Sequence, residues 1–142
     1  MPDRTASASW RGTLPEGDGT MRLGSGAYEG AYSAKSRFEQ GDGTNPEELL
    51  GAAHAGCFSM ALAGNLSRAG HDPTRVDTEA KVSIERDGDG FTITKIRLET
   101  VADVDGIDDD RFQEVAEMTK QTCPVSRALA AVETVELEAR RA

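Results

Sequence analysis

The two cysteines are the residues of this chain with the clearest chemical potential. Cys57 and Cys123 are the only cysteines. Such a sparse pair does not form the framework of a small secreted protein, and in a reducing compartment it is more often catalytic or metal-binding than structural. A reactive cysteine acts as the thiolate, which nearby positive charge or a helix N-terminus stabilises. The pair could then cycle between thiolate, sulfenic acid and disulfide, with Cys123 as the resolving thiol.

Arg37 is the candidate cation for a Cys57 thiolate. It precedes a glycine-rich joint at residues 41–43, and Glu47 follows that joint. Glu47 could hold the guanidinium in a bidentate ion pair and leave other N–H groups for the sulfur. In one straight helix, however, Glu47 and Cys57 would be about 15 Å apart along the axis. Either the helix breaks between residues 53 and 56, which we expect, or the arginine must span this gap.

Each of these residues also has an ordinary structural explanation. A cysteine among small residues of a helix often packs as a small hydrophobe. Arg37 could be a surface charge, and Glu47 suits any helix N-terminus. His54 lies one turn before Cys57 and could act as a base, but its position is more typical of a core or interface histidine. A zinc site formed by both cysteines, His54 and His71 has no CxxC or HxxxH spacing to support it.

Length and charge limit the function classes. A chain of 142 residues suits one domain, expected to span residues 1–142, and can bury a core. The net charge of -9 opposes binding to nucleic acid or to an anionic membrane, because both need clustered positive charge. The polar N-terminus lacks the apolar segment of a signal peptide, so the expected location is the cytoplasm.

A central helical segment is predicted from residue 46 to residue 68, with the break described above dividing it into two pieces. Asn45 is a suitable N-cap, the proline after it suits the first helical position, and Glu48 could close a capping box. Residues 49–66 are almost all small or apolar, which is typical of a helix buried on most sides. The glycines and the strands that follow favour a core helix over a membrane span.

Strands are predicted on both sides of this helix. Residues 5–38 are expected to form a β-meander whose last extended piece is AYSAKSRFE. Alternating apolar and polar residues predict a strand over 76–85. An Asp-Gly hairpin tip then leads to a return strand over 91–104, with a bulge near Thr94 or Lys95.

The C-terminal part is predicted to contain two helices and a strand. Asp108 to Asp110 cap the first of these helices, and its inner stripe comprises Phe112, Val115, Ala116 and Thr119. Cys123 precedes a proline, so it should stand at a break, at the start of a short helix over 124–130. A final strand is expected over 132–140.

The predicted order βββ-α-ββ-α-α-β indicates an α+β domain in which an antiparallel sheet packs on helices. A helix as apolar as residues 46–68 needs cover on more than one side, which one small sheet cannot easily provide. We therefore predict a homodimer in which the central helices lie between sheets from both subunits.

Four segments carry a resemblance to a known family. They are SRFE at 36–39, GTNPEELLGAAHAGCFSMAL at 43–62, FTITKIRL at 91–98 and TCPVSRAL at 122–129. In this order they resemble the OsmC/Ohr family of thiol-dependent hydroperoxide reductases, and the OsmC branch (osmotically inducible protein C) in particular. The paired cysteine motifs are the most specific part of the match.

The resemblance implies an enzyme with Cys57 as the peroxidatic thiol and Cys123 as the resolving thiol. Cys57 would attack an organic hydroperoxide, and the resulting disulfide would be reduced by an external dithiol, such as a lipoylated protein. No metal, haem or flavin is required. Apolar neighbours such as Phe58, Met60 and Leu50 would suit an alkyl substituent. The alternative is a redox sensor that uses the same disulfide without efficient turnover.

The resemblance also implies an intertwined homodimer with two composite sites. Glu47, directly after the Asn-Pro pair, belongs to the site in this pattern. The OsmC pattern points to Arg37 as the activating arginine, and Arg22 or Arg11 in the first hairpin are the alternatives.

Overall fold

The computed structural model describes residues 1–142. The chain forms two compact units, Met1–Leu49 and Leu50–Ala142. The expectation of one domain over residues 1–142 stays a prediction. Both units combine a three-stranded sheet with helix, so the expected α+β class is confirmed.

The first unit contains an antiparallel meander. Its strands are β1 (Ala6–Arg11), β2 (Asp18–Leu23) and β3 (Glu29–Tyr32), in that order across the sheet. A short helix, α1, follows at Ala34–Phe38. The expected extended piece AYSAKSRFE is therefore wrong beyond Tyr32.

A capping box explains the change from strand to helix. The Ser33 hydroxyl accepts a hydrogen bond from the Ser36 N–H at 3.1 Å, and the Ser36 hydroxyl accepts one from the Ser33 N–H at 2.9 Å. Two of the N–H donors at the start of the helix are satisfied in this way. Helix α1 therefore includes Arg37.

The central helix α2 runs without interruption over Pro46–Arg68. Asn45 is its N-cap, as expected, because its side-chain oxygen accepts from the Glu48 N–H at 2.8 Å. The Glu48 carboxylate accepts from the Thr44 hydroxyl instead of closing a capping box with Asn45. At the other end Gly70 has a φ of +91°, and the His71 N–H reaches the Leu66 carbonyl at 2.9 Å, as in a Schellman motif.

Helix α2 is buried on one face only within the single chain. The residues that recur every four positions on this face are wholly buried: His54, Phe58, Leu62 and Leu66. The opposite face exposes small residues and a methionine, namely Ala52, Ala53, Gly56 and Met60. By length and composition alone α2 could also cross a membrane, but its buried face packs into the core of the second unit.

The second unit is a mixed three-stranded sheet with helices between its last two strands. Strand β4 (Pro73–Asp87) pairs antiparallel with β5 (Gly90–Val104), and β6 (Thr134–Arg141) pairs with β5 in parallel. The expectation of one antiparallel sheet is therefore wrong, because the strands form two sheets and β6 pairs in parallel. Helices α3 (Asp109–Thr122) and α4 (Pro124–Ala128) form the crossover that a parallel pair requires.

The predicted details of this unit are largely confirmed. The hairpin turns at Gly88 and Asp89, between the paired Asp87 and Gly90. Ser83 pairs with Lys95 and Ile84 with Ile93, so Thr94 is the bulged residue. Asp108 caps α3, and the four predicted inner residues of α3 are those buried. The last helix is shorter than expected, and the last strand is displaced towards the C-terminus.

Candidate thiol site

The two cysteines are held by different helices of the second unit. Cys57 lies in the middle of α2 and is half-buried. Cys123 is both the C-cap of α3 and the N-cap of α4, and its side chain is buried. Pro124 is the reason for the break, since it disfavours helix in the residue before it and suits the first turn of a new helix. The expected position of Cys123 is therefore confirmed.

The Sγ atoms of Cys57 and Cys123 lie 3.0 Å apart, in hydrogen-bond contact, and both thiols are free. A disulfide bond is about 2.05 Å long. The sulfurs therefore have to approach each other by only about 1 Å for a bond to form between them. The fold has brought together two residues that the sequence separates by 66 positions.

The surroundings of the two thiols shift their pKa values in opposite directions. Burial and the contact with Cys123 raise the pKa of Cys57, although the Val125 N–H acts the other way. Burial also acts to raise the pKa of Cys123. The pKa is nevertheless lowered from its ordinary value, because hydrogen bonding outweighs burial, and the groups that contribute are Cys57, the N–H and hydroxyl of Ser126, and the Val125 N–H. Either thiol can donate across the contact, so the two shifts belong to the pair and not to one thiol alone.

The interactions that set the pKa of Cys57 include no cation. The nucleophile that the sequence predicts is therefore not activated by the groups around it in a single chain. Burial is the largest of the causes that raise the pKa of Cys57, and a neighbouring cation would act in the opposite direction.

Arg37 and Glu47 form the expected ion pair within the first unit. The Arg37 Nε lies 3.1 Å from Glu47 Oε1 and 3.3 Å from Oε2, and Nη2 lies 2.8 Å from Oε1. The Glu47 side chain is 7% exposed, whereas that of Arg37 is 37% exposed. These bonds leave Nη1 and one Nη2 hydrogen of the guanidinium for a further acceptor.

The alternative arginines are engaged elsewhere in the first sheet. Arg11 pairs with Asp18 on the neighbouring strand. Arg22 lies 3.7 Å from Glu29 of β3. Both ion pairs are exposed, and neither arginine binds Glu47.

The expected break in the central helix is wrong. Glu47 and Cys57 lie in one continuous helix, with about 15 Å between them along its axis. No proline lies inside α2 after its first residue, and packing of Phe58 and its buried neighbours offsets the cost of roughly 1 kcal/mol for each internal glycine. The separation along the helix axis that the break would have removed is therefore retained.

His54 is a core histidine with one polar partner. It is wholly buried, its Nε2 lies 2.7 Å from the Ser126 hydroxyl, and burial lowers its pKa. His71 is bonded through Nδ1 to the Asp105 carbonyl instead. No group of three or more His, Cys, Asp or Glu side chains could hold a metal ion.

Two site residues were missed at the sequence level. Val125 and Ser126 follow Cys123 at positions where the first N–H groups of a helix point back at the N-cap. The serine three places after the cysteine was the available signal. Of the expected apolar neighbours, Phe58 belongs to the core, whereas Met60 is exposed and Leu50 half-buried.

The comparisons with known proteins cover nearly the whole chain. Residues 39–138 match the family described as OsmC-like protein. Peroxiredoxin OsmC of Escherichia coli is 44% identical over 136 residues, which are 95% of this chain and 95% of the relative. The organic hydroperoxide resistance protein OhrB of Bacillus subtilis is 33% identical over 99 residues, or 68% of this chain and 69% of the relative.

A solved structure has a similar fold. The crystal structure of OhrB of Bacillus subtilis superposes with a TM-score of 0.67 at 25% identity. The superposition covers 97% of this chain and 98% of that one.

Proposed function

This chain belongs to the OsmC-like protein family, and we propose that it is a thiol-dependent peroxidase that reduces organic hydroperoxides to alcohols. The observation that supports this most directly is the Cys57–Cys123 sulfur pair at 3.0 Å. The names of the relatives point the same way, because one is called a peroxiredoxin and another an organic hydroperoxide resistance protein.

The first step oxidises Cys57. Its thiolate attacks the distal oxygen of the hydroperoxide, the O–O bond breaks, and an alkoxide leaves and takes up a proton to become the alcohol. A guanidinium stabilises both the thiolate and the charge that develops on the leaving oxygen. Arg37 fits this role, because Glu47 fixes its planar group through two nitrogens and leaves N–H donors unused.

The second step forms the disulfide. Cys123 attacks the Cys57 sulfenic acid, and water leaves as the S–S bond forms. Cys123 suits the resolving role because it is buried next to Cys57 and its pKa is lowered. An external dithiol then reduces the disulfide by exchange, and a lipoylated protein is one source of such a dithiol.

The site is completed by a second copy of the chain. Glu47 and Cys57 of one helix are too far apart to share an arginine, so Arg37 of the partner subunit is the group that activates Cys57. The exposed face of α2, with Met60 79% exposed, supports an intertwined homodimer in which a second subunit covers it.

The substrate class and the location follow from the same features. Met60 lies one turn after Cys57 and Leu50 two turns before it, so an alkyl group would meet an apolar surface near the sulfur. The net charge of -9 does not favour nucleic acid or an anionic membrane as a partner. A thiol cycle of this kind operates in a reducing compartment, and we place the protein in the cytoplasm.

Turnover distinguishes this enzyme from a redox sensor. Reduced protein is mixed with a large excess of tert-butyl hydroperoxide and dihydrolipoamide, and peroxide consumption is followed. An enzyme consumes many equivalents per subunit, and Cys57→Ser abolishes the consumption. One equivalent consumed per subunit, with a stable disulfide as product, would instead identify a sensor. The same assay with hydrogen peroxide ranks the two substrates.

A further inference from the structure

His54 is a buried titratable residue that the proposed mechanism does not use. Its ring lies on the buried face of α2, one turn before Cys57. Its Nε2 contacts the Ser126 hydroxyl of α4 at 2.7 Å, and its Nδ1 is buried without a hydrogen-bond partner. An orphaned buried polar atom one helical turn from Cys57 calls for an explanation beyond packing.

The orphaned Nδ1 indicates which ring nitrogen holds the proton. A buried N–H without an acceptor is rarer in proteins than an unpaired acceptor. We therefore assign the proton of the neutral ring to Nε2, which donates it to the Ser126 oxygen. The Ser126 hydroxyl proton is then free to point to another acceptor.

Cys123 offers a sulfur acceptor at the N-cap of α4, and Ser126 lies in the first turn of that helix. The hydroxyl and N–H of Ser126 and the Val125 N–H all act to lower the pKa of Cys123. No carboxylate or cation is among the groups that act on Cys123, and Cys57 is the one other titratable group there. Two contacts therefore join α2 to the start of α4, one between His54 and Ser126 and the other between Cys57 and Cys123.

We propose that His54 is a positioning residue for the resolving step: it orients the Ser126 hydroxyl so that this hydroxyl donates to the Cys123 thiolate. The inference rests on the proposed function, because it assumes that Cys123 resolves a Cys57 sulfenic acid. His54 itself touches neither sulfur. It holds the proton on Nε2 throughout and fixes the direction of one hydrogen bond.

Disulfide formation needs no reactant other than the Cys123 thiol and the Cys57 sulfenic acid. The Cys123 sulfur attacks the Cys57 sulfur, the S–S bond forms and the S–O bond of the sulfenic acid breaks. The oxygen leaves as hydroxide and takes up the proton that Cys123 released, giving water. Cys123 is oxidised and the Cys57 sulfenic acid is reduced, so no further oxidant is needed.

The test separates the two steps of the reaction. Reduced wild type, His54→Leu, His54→Gln and Ser126→Ala are mixed with tert-butyl hydroperoxide and quenched at intervals. Mass spectrometry then counts sulfenic acid, sulfinic acid and disulfide. We expect His54→Leu and Ser126→Ala to slow disulfide formation by roughly fivefold to tenfold, the worth of one hydrogen bond. Oxidation of Cys57 should keep its wild-type rate, and sulfinic acid should accumulate.

Three comparisons identify the mechanism. His54→Gln retains a donor near the position of Nε2 and should restore most of the resolving rate. The double variant His54→Leu with Ser126→Ala should be no slower than Ser126→Ala alone, because His54 acts only through the Ser126 hydroxyl. In a Cys57→Ala background, thiolate absorbance should show that His54→Leu raises the pKa of Cys123, which a merely structural role would not do.

Matched controls lie on the same helix. Asn65 donates to the Thr119 hydroxyl at 2.8 Å, and Ser59 donates to the Thr78 hydroxyl at 2.8 Å. Asn65→Leu and Ser59→Ala each remove a polar bridge from α2 without touching Cys123. Both variants should therefore form the Cys57–Cys123 disulfide at the wild-type rate. Equal slowing in these controls would overturn the inference.

Two failures can be told apart. If wild type forms the disulfide and His54→Leu forms it equally fast, with an unchanged Cys123 titration, the inference fails and the proposed function stands. If wild type forms no sulfenic acid or disulfide with hydroperoxide, the proposed function fails and the resolving role of Cys123 falls with it.

Discussion

Cys57 and Cys123 place their sulfur atoms 3.0 Å apart, but they differ in accessibility. Cys57 is half-buried, whereas Cys123 is 1% exposed. A peroxide arriving from solvent therefore meets Cys57 first, and Cys123 is adjacent when the sulfenic acid has formed. This asymmetry supports the order of oxidation and resolution that we propose.

Replacing the resolving thiol should convert turnover into overoxidation. In Cys123→Ser we expect Cys57 to react with hydroperoxide, to form sulfenic acid and then to add a second oxygen, because no thiol remains to condense with it. Intact-mass spectrometry of each variant after peroxide treatment measures this. Cys57→Ser should gain no oxygen, and an unmodified Cys57 in Cys123→Ser would contradict the proposed roles.

Removing the guanidinium should slow the first step. We expect Arg37→Ala to lower the rate of Cys57 oxidation by about a hundredfold, the typical effect of losing one donor that stabilises negative charge in the transition state. Arg37→Lys should fall in between, since lysine keeps the charge but loses the planar fork that Glu47 binds. Single-turnover oxidation by tert-butyl hydroperoxide measures the rate.

The matched control for this arginine is Arg22→Ala. Arg22 is an exposed arginine of the same unit, but its partner is Glu29. Cys57 of the Arg22→Ala variant should be oxidised at the wild-type rate. Equal rates for Arg37→Ala and wild type would remove Arg37 from the site.

A charge on the exposed face of α2 should oppose self-association. Met60 is 79% exposed in the single chain, and burial of a new carboxylate at this position would be costly. We expect Met60→Glu to weaken the dimer and to lose peroxidase activity with it. Sedimentation velocity over a range of concentrations measures the association. Met118→Glu, on the exposed side of α3, should behave as wild type, and an equally dimeric Met60→Glu would place the interface elsewhere.

Acid should destabilise the protein through His54. Burial lowers its pKa from 6.5, so the unfolded chain takes up the proton at a higher pH than the folded chain does. Its contribution to stability is complete above pH 6.5 and is lost as the pH falls through the folded pKa. Urea unfolding at pH 7.5 and at pH 5 should show a smaller loss of stability in His54→Gln than in wild type. Asn65→Leu, which removes a polar bridge from the same helix without changing a titratable group, should retain the wild-type loss. An unaltered loss in His54→Gln would refute this account.

Truncation in the core should be costly. Phe112 is wholly buried between α3 and the sheet core. We expect Phe112→Ala to lower the free energy of unfolding by about 3–5 kcal/mol, the usual sum of lost transfer energy and cavity formation. Chemical denaturation measures the change. Leu14→Ala, at a residue that is 62% exposed, should alter it by less than about 0.5 kcal/mol.

Local chemistry was sufficient to predict most elements of the second unit. Period-two alternation predicted β4, and an Asp-Gly tip predicted the turn that follows it. A phase shift in the apolar pattern predicted the bulge at Thr94, and Pro124 predicted the break at Cys123. These signals act over a few residues, so the amino-acid sequence alone determines them.

Other features needed the folded chain. The expected break in α2 does not occur, because packing along His54 and Phe58 keeps the helix continuous despite its glycines. Strand β6 joins the sheet in parallel because the α3–α4 crossover carries the chain back across it. Both outcomes depend on burial between segments that are far apart in the sequence. The pattern of residues within one segment does not contain this information.

The candidate site also combines features that the sequence determines with features that only the folded chain determines. The sequence by itself determined that two thiols, an arginine and a glutamate were available, and an ion pair between Arg37 and Glu47 followed from charge and spacing. Only the tertiary structure decided that Cys123 contacts Cys57, and that Ser126 contacts His54. Contacts across 66 and 72 positions are set by how α2 and α4 pack, and that packing reflects the whole buried core and not any one motif.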